Sequence, residues 1–291
     1  MNLLSKMYGG SLRPADPRRY LIEAIVGAMQ ADGVVNKEEL AVLETNLQEH
    51  EMFSGLSPEA TRTLVEIANE SIALAGGPLR RIPYLAKGLP ARSHRMAAYA
   101  VASEIAMADG ESPEEREYLN QMQRAFLIAD EDAYALYLAA QRRQGMRHVE
   151  EMTRHLQGLM PFYLEAMALM ASADGTITAA ERAAVRGVLR SVGDMQVLGD
   201  RELEASIEAA FRRIDGKDPD ACLKNLTRAL ETISDRYWAI VYMGIIAVAD
   251  GYTQWRQIWL LGSGQEYFHM TDDQMDRAME TARLFPIRKD A

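Results

Sequence analysis

The sequence predicts an all-α protein made of two tandem helical domains, each a pseudo-duplicated multi-helix bundle. Ala, Leu, Met, Glu and Arg dominate the chain, and these residue types favour helices. No stretch shows the strict alternation of apolar and polar residues that predicts a strand. The tripeptide Ala-Asp-Gly occurs four times, at Asp32, Asp109, Asp174 and Asp250. The first and last intervals are nearly equal and longer than the middle one, which indicates a unit with two copies of the motif, itself present twice.

The first predicted domain covers residues 1–143. Its first helix carries Ile22, Ile25, Val26 and Met29, the i, i+3, i+4, i+7 stripe of a core-facing helix. Gly and Pro residues separate the later helices. The polar segment 141–145 is the predicted domain boundary. Helices are predicted at 18–31, 36–50, 57–75, 79–87, 91–108, 112–127 and 130–142.

The second predicted domain covers residues 146–291 and has diverged at its last corner. After Asp250-Gly251 a Thr cap remains at Thr253, but no Glu follows at the capping distance. Pro161 is expected to kink or split the first helix of this domain. Helices are predicted at 148–172, 178–192, 198–214, 218–232, 234–249, 253–262 and 271–284.

Each of the first three Ala-Asp-Gly copies is followed by the signature of a helix start. The segments 36–39, 112–115 and 178–181 pair an Asn, Ser or Thr with a Glu at the third position after it, which predicts a capping box. The glycine is expected to take a positive φ and to end the preceding helix. Together these features predict a corner of helix, tight turn and helix.

The acidic residues of the corners allow two interpretations. In one, each Asp holds its turn and each Glu completes a cap. In the other, the carboxylates supply oxygen ligands for a divalent ion, and two corners would face each other to provide enough of them. The spacing differs from that of an EF-hand, because the glycine directly follows the first Asp. This second interpretation groups Asp32 with Glu38 and Glu39, Asp109 with Glu111 and Glu115, and Asp174 with Glu181.

Several functional classes are not expected. The net charge of −10 argues against a nucleic-acid binder, and no apolar run is long enough to span a membrane. The N-terminus has no signal-peptide pattern, so the expected location is the cytoplasm. No nucleotide-binding, hydrolase or metalloprotease motif occurs, so no enzymatic activity is expected. Cys222 is expected to be a buried, unreactive thiol.

Two tryptophans follow the diverged corner closely in the sequence. Trp255 and Trp259 are spaced i, i+4 and therefore share a helix face. They are either part of the core or a docking patch for a protein partner.

Two segments resemble the TerB-like tellurite-resistance family. The front half of the motif is clearest in Ser172–Glu181, and the back half runs from Arg95 through Ala108-Asp109-Gly110 to Glu115. With its recurring spacings, the resemblance extends over nearly the whole chain as two tandem copies. It implies an all-helical domain of two similar halves, with acidic corners that bind a metal ion. By position, the implied ligands are Asp32, Glu39, Asp109, Glu115, Asp174 and Glu181.

The resemblance also implies a functional class. The family is associated with tellurite and chemical-stress resistance, and with cytoplasmic assemblies at the inner face of membrane proteins. The resulting hypothesis is a non-enzymatic stress-response scaffold or sensor that responds to Ca²⁺, Mg²⁺, Mn²⁺ or Zn²⁺ and binds protein partners. The alternative is a metal-independent protein–protein interaction module that uses its helical faces or the Trp255 and Trp259 patch.

Overall fold

The structure is a computed structural model that describes residues 17–33, 42–43, 53, 56–89, 91–108, 110–173, 175, 179–191, 199–249 and 255–284. Within these residues every regular element is a helix and none is a strand, which confirms the all-α class. The chain divides into two compact units, Met1–Thr153 and Arg154–Ala291. The boundary predicted at 141–145 lies somewhat earlier, where a long helix begins at Gly145.

Unit 1 is built around two helices that are buried on nearly every side. Helix α1 packs against α2, α3 and α4, and α4 also packs against α5 and α6. A helix buried all round belongs in a core, which explains why both are rich in Ala and aliphatic residues. The helices are α1 (Pro17–Met29), α2 (Pro58–Ala75), α3 (Pro78–Gly88), α4 (Arg92–Ala106), α5 (Pro113–Phe126) and α6 (Asp130–Ala140).

Unit 2 has a comparable central helix. Helix α11 is buried from Trp238 to Ala247 and packs against α8, α12 and α13, while α10 packs against α12. The helices are α7 (Gly145–Ala171), within which the division between the units falls, α8 (Ala179–Ser191), α9 (Asp200–Ile214), α10 (Pro219–Ala229), α11 (Ile233–Ala249), α12 (Trp255–Tyr267) and α13 (Asp272–Leu284).

Two details differ from the sequence-based expectation. Pro161 was expected to kink or split the first helix of the second domain, and α7 continues through it as one helix, so the helix is not split there. Helix α12 continues to Tyr267 instead of ending at residue 262. A Cβ at Gly264 would lie 2.9 Å from Ile240 Cδ1, so this glycine allows α12 to approach α11 closely and does not end the helix.

The other described helices begin and end within one helical turn of their predicted bounds. The predicted helix 36–50 lies outside the described residues, apart from Val42 and Leu43. Within the part of the chain that the structure describes, no helix combines the length and apolar character needed to cross a bilayer.

Candidate functional site

The Asp-Gly corners are tight turns that end in a glycine with positive φ. The φ angles are +81° at Gly33, +112° at Gly110 and +92° at Gly175, as the sequence predicted. In the first and third corners the glycine N–H donates to a carbonyl of the preceding turn, at 3.2 Å in Gly33 and 2.9 Å in Gly175. A side chain at this φ would be strained, so the glycine is required by the backbone. The fourth corner, with Gly251, lies outside the described residues.

The second corner leads into the predicted capping box. Ser112 N donates to Glu115 Oε2 at 2.7 Å, and Glu115 N donates to Ser112 Oγ at 3.1 Å. Pro113 occupies the first turn of α5, as expected. Glu115 is buried, and its carboxylate satisfies a backbone donor at the helix start. This corner therefore uses one of its predicted metal ligands as a cap.

The remaining predicted metal ligands are only partly described. Asp32 is exposed in the turn after α1. Among the described residues, no group of three or more His, Cys, Asp or Glu side chains is arranged to hold a metal ion. The divalent-ion site therefore stays a prediction. Glu39, Asp109 and Asp174 lie outside the described residues, as does the side chain of Glu181, whose backbone belongs to α8.

A buried arginine connects three helix ends in unit 1. Arg95 donates from Nε to Leu89 O at 2.7 Å, from Nη2 to Ala86 O at 3.1 Å and from Nη1 to Phe126 O at 3.3 Å. Leu89 and Phe126 lie at the C-termini of α3 and α5, where carbonyl groups lack partners within the helix. The guanidinium therefore caps two helix C-termini and holds them to α4.

Unit 2 contains the same arrangement. Arg236, near the start of α11, donates to Leu230 O at 2.8 Å, Thr227 O at 3.3 Å and Phe268 O at 3.5 Å. Leu230 and Phe268 lie at the ends of α10 and α12, just as the acceptors of Arg95 lie at the ends of α3 and α5. The two units thus repeat one set of long-range hydrogen bonds.

A second repeated contact sets the correspondence between α5 and α12. Gln123 Nε2 donates to Asp130 Oδ1 at 2.8 Å, and Gln265 Nε2 donates to Asp272 Oδ1 at 2.7 Å. Each pair joins one of these helices to the start of the next, and the sequence spacing within the pair is the same. Gln123 therefore corresponds to Gln265, and counting along the chain from these two residues aligns α5 with α12.

Buried carboxylates of α1 and α7 pair with arginines that no sequence pattern identified. Glu23 has no exposed side-chain surface and accepts from Arg19 Nε at 2.9 Å and Arg81 Nη2 at 2.7 Å. Glu165, at the same spacing before its Asp-Gly corner, accepts from Arg213 Nε at 3.1 Å. Arg81 and Arg213 come from distant parts of the sequence, so local spacing could not predict these pairs. Their burial indicates a structural role.

The tryptophans of the diverged corner line an open groove in unit 2. Trp255 is 72% exposed, Trp259 is 50% exposed, and the Arg256 guanidinium lies 5.5 Å from the Trp255 ring centroid. The groove has a volume of about 540 Å³ and lies between the C-terminal end of α7, the end of α9 and the start of α12. Its other lining residues are Leu169, Ser172, Ala173, Gly175, Ile214, Asp215, Gly216, Lys217, Pro219 and Leu260. Both tryptophans are therefore available to a ligand.

The position of unit 1 that corresponds to Leu260 in the groove carries a larger side chain. Tyr118 corresponds to Leu260, is fully buried, and donates from its hydroxyl to Ala24 O at 3.0 Å. Its ring packs against Gly27, the residue that corresponds to Leu169. Leu260 lacks this ring, so the packing of Tyr118 against Gly27 is not repeated at the corresponding positions, Leu260 and Leu169.

Cys222 is a free, fully buried cysteine, as predicted. Burial raises the pKa of its thiol, and the carboxylate of Glu165 adds to this effect. The thiolate, which is the reactive form, is therefore disfavoured.

Comparison with known proteins gives one family. Residues 16–138 match the family model described as tellurite resistance protein TerB. Searches of the curated proteins and of the solved structures each found no match. The matched segment contains α1 to α5 and most of α6, including the first two corners and Arg95. The match covers about two fifths of the chain, so the similarity to TerB, an all-α tellurite-resistance family, is shown for residues 16–138.

Proposed function

We propose that this protein is a non-enzymatic, stress-linked scaffold of the cytoplasm whose second unit docks a protein partner. The TerB match of unit 1 supports the link to tellurite and chemical-stress resistance. The resemblance to that family supports a cytoplasmic location and a partner at the inner face of a membrane protein complex. The repeated contacts of Arg95 and Arg236 support the further proposal that unit 2 is a diverged TerB-like copy.

The observation that carries this proposal is the apolar face of α12. Trp255, Ile258 and Trp259 are 72%, 59% and 50% exposed, although large apolar side chains are normally buried. The positions that correspond to them in α5 are Pro113, Arg116 and Glu117, so the same face of unit 1 carries charge. Contiguous exposed apolar groups mark binding surfaces, and tryptophan is enriched among the residues that dominate binding energy.

The partner we propose is a protein segment that presents apolar side chains. Ile258 lies on the exposed face but does not line the groove, so the apolar surface extends beyond the cavity. A surface wider than its cavity suits a protein segment better than a small molecule. Asp215, Lys217 and Arg256 also line the groove and provide it with charged groups.

Affinity capture with the full chain tests this proposal. The chain and its Trp255→Ala/Trp259→Ala variant are used as baits in extracts of stressed and unstressed cells, and captured proteins are quantified by mass spectrometry. The control is Leu74→Ala/Tyr84→Ala, which removes exposed apolar side chains from unit 1. A set of proteins lost by the tryptophan variant and kept by the control is expected. Equal capture by all three baits would contradict docking at this face.

The ion-responsive form of the scaffold rests on the acidic corners. Ion binding is compatible with the exposure of Asp32 beside the left-handed Gly33. The hydrogen bond by which Glu115 caps α5 favours the metal-independent alternative. The alternative keeps the same docking face and needs no ion. Thermal unfolding with divalent ions distinguishes the two forms.

A further inference from the structure

A small pocket in unit 1 lies beside the second corner. It has a volume of about 290 Å³ and lies between α4, α5 and α6. Three tyrosines, Tyr99, Tyr134 and Tyr137, line it together with the carboxylate of Glu111. Glu111 directly follows the Asp109-Gly110 corner. The pocket thus combines aromatic rings with one acidic group from a loop.

The two carboxylate oxygens of Glu111 differ in the hydrogen bonds that they accept. The side chain is 7% exposed, and its Oε2 accepts from Arg116 Nη2 at 2.5 Å, Arg116 Nε at 3.0 Å and the Tyr137 hydroxyl at 3.0 Å. Oε1 accepts no hydrogen bond from any residue that the structure describes. Oε1 is not one of the buried polar atoms that lack a partner, so it keeps contact with solvent and can accept a charge-assisted hydrogen bond from a ligand. The pocket is therefore a place where a ligand N–H would satisfy it.

The charges around the pocket favour a cation. Glu111 and Asp130 are the acidic groups in its wall, and Arg116, which is largely exposed, is the basic one. Burial, with a smaller effect from Glu111, raises the pKa of Tyr99 to about 12. Burial and the hydrogen bond to Glu111 likewise raise the pKa of Tyr137. Both phenols therefore stay neutral and offer the electron-rich ring faces that attract cations.

We propose that this pocket binds a small primary alkylammonium ion. The ammonium group donates a hydrogen bond to Glu111 Oε1 and lies against the faces of the tyrosine rings, and its alkyl chain packs against Leu119 and Ala133. Ligand pockets typically measure about 300–1,000 Å³, so the volume of this pocket, at the lower end of that range, limits the ligand to a short chain. A divalent metal ion fits less well, because Ca²⁺ or Mg²⁺ requires about six oxygen ligands.

In the described part of the second unit, three positions that correspond to this pocket carry different side chains. Ile240, Ile258 and Met279 occupy the positions that correspond to Tyr99, Arg116 and Tyr137. The aromatic and charged groups of the pocket are thus replaced by aliphatic ones, while the surrounding helices keep their repeated contacts. The chain therefore provides an internal comparison, and ligand-induced changes are expected in unit 1 alone.

The test uses n-butylammonium as the probe and the full chain as the receptor. Binding is followed by isothermal titration and by NMR shifts of residues that line the pocket. Saturable binding of n-butylammonium is expected, without binding of neutral n-butanol. Tetramethylammonium has no N–H to donate, so it is expected to bind at least fivefold more weakly, the effect of losing one hydrogen bond of about 1 kcal/mol. Equal binding of butanol, equal binding of tetramethylammonium, or no saturable signal would each overturn the proposal.

Two variants locate the site. Glu111→Gln is expected to abolish binding, but it also weakens the pair with Arg116. Tyr134→Ala avoids that difficulty, because Tyr134 is 65% exposed at the rim and is expected to tolerate replacement. It should weaken binding about threefold through loss of a cation–π contact. The control Tyr84→Ala removes an exposed tyrosine from α3 and should bind like the unmodified chain. Unchanged binding in Tyr134→Ala would place the probe elsewhere and overturn the assignment.

Discussion

Arg95 and Arg236 make the same three contacts, each in its own unit. Each guanidinium donates to the carbonyl of the residue that follows one short helix, which is Leu89 or Leu230, and to a carbonyl within that helix, that of Ala86 or Thr227. Its third acceptor is the carbonyl at the C-terminal end of another helix, that of Phe126 or Phe268. Hydrogen bonds from a charged donor are stronger than neutral ones, and the acceptors come from other helices. The two arginines therefore fix the same arrangement of three helices in both units.

Replacement of Arg95 by Met should destabilise unit 1 strongly. Met keeps much of the aliphatic volume but leaves the carbonyls of Ala86, Leu89 and Phe126 without their donor, at an expected cost of about 3 kcal/mol or more. Urea denaturation monitored by circular dichroism measures the loss. Arg142→Met, at an exposed turn, is the control and should change stability by less than about 0.5 kcal/mol. Equal stability of both variants would show that the buried contacts contribute little.

Replacement of Gly27 by Ala should also destabilise unit 1. The new Cβ would lie 2.2 Å from the Tyr118 hydroxyl oxygen and 2.8 Å from Cζ, so the buried ring would have to move. Overpacking of this kind costs about 1–3 kcal/mol. Gly158→Ala in α7 is the control, since nothing lies within 4 Å of its Cβ, and it should stabilise the helix by about 0.5–1 kcal/mol.

The same clash can be tested by a double-mutant cycle. Tyr118→Phe removes the atom nearest to the new Cβ and also loses the hydrogen bond to Ala24 O. The double variant with Gly27→Ala should therefore be more stable than the sum of the two single effects predicts, by about 1 kcal/mol. Simple additivity would mean that the Tyr118 hydroxyl is not the source of the strain.

Alkaline pH should weaken unit 1 through Tyr99. Burial and the nearby Glu111 raise the pKa of Tyr99 from 10.0 to about 12, whereas an unfolded chain has the ordinary value. The resulting stability is fully present below pH 10 and is lost as the pH rises from 10 to 12. A pKa change of this size corresponds to roughly 2–3 kcal/mol. The pKa of Tyr118 is raised as well, so part of the effect will remain in Tyr99→Phe.

The measurement compares the free energy of unfolding below pH 10 with that between pH 10 and 12. The unmodified chain should lose more stability than Tyr99→Phe over this interval. An identical loss in both proteins would mean that Tyr99 ionises equally easily in the folded and unfolded chain.

Divalent ions test the acidic corners. If facing corners form a site, an ion at about 100 times its dissociation constant should add about 2.7 kcal/mol and raise the thermal midpoint by roughly 2–4 °C or more. The midpoint of thermal unfolding is measured first in EDTA and then with an excess of Ca²⁺, Mg²⁺, Mn²⁺ or Zn²⁺. Asp32→Asn/Asp109→Asn should lose the shift, while Asp276→Asn, an exposed site on α13, should keep it. No shift with any ion would leave turn and cap chemistry as the role of the corners.

Much of the fold could be predicted from local patterns in the sequence. The stripe from Ile22 to Met29 predicted α1, and Ser112 with Glu115 predicted the start of α5, because periodicity and capping act between neighbours along the chain. The end of α12 was missed for a related reason. Glycine commonly ends helices, but Gly264 serves close packing against Ile240, which lies in another helix.

The candidate sites could be predicted from the sequence only in part. Trp255 and Trp259 were recognised as a shared helix face, yet the choice between core and docking patch depended on whether another helix covers them. The distinct environments of the two Glu111 oxygens could not be foreseen, because Arg116 and Tyr137 reach the same Oε2 from two different helices.

The sequence by itself determined the helices and the left-handed glycines of the three described corners, and it predicted a repeat that relates the two halves of the chain. Those features depend on propensity, capping and backbone sterics, which act over a few residues. Only the tertiary structure decided the acceptors of Arg95 and Arg236, the exposure of the tryptophans and the pocket of Glu111. These depend on which distant side chains meet after packing, and local spacing carries no information about such contacts.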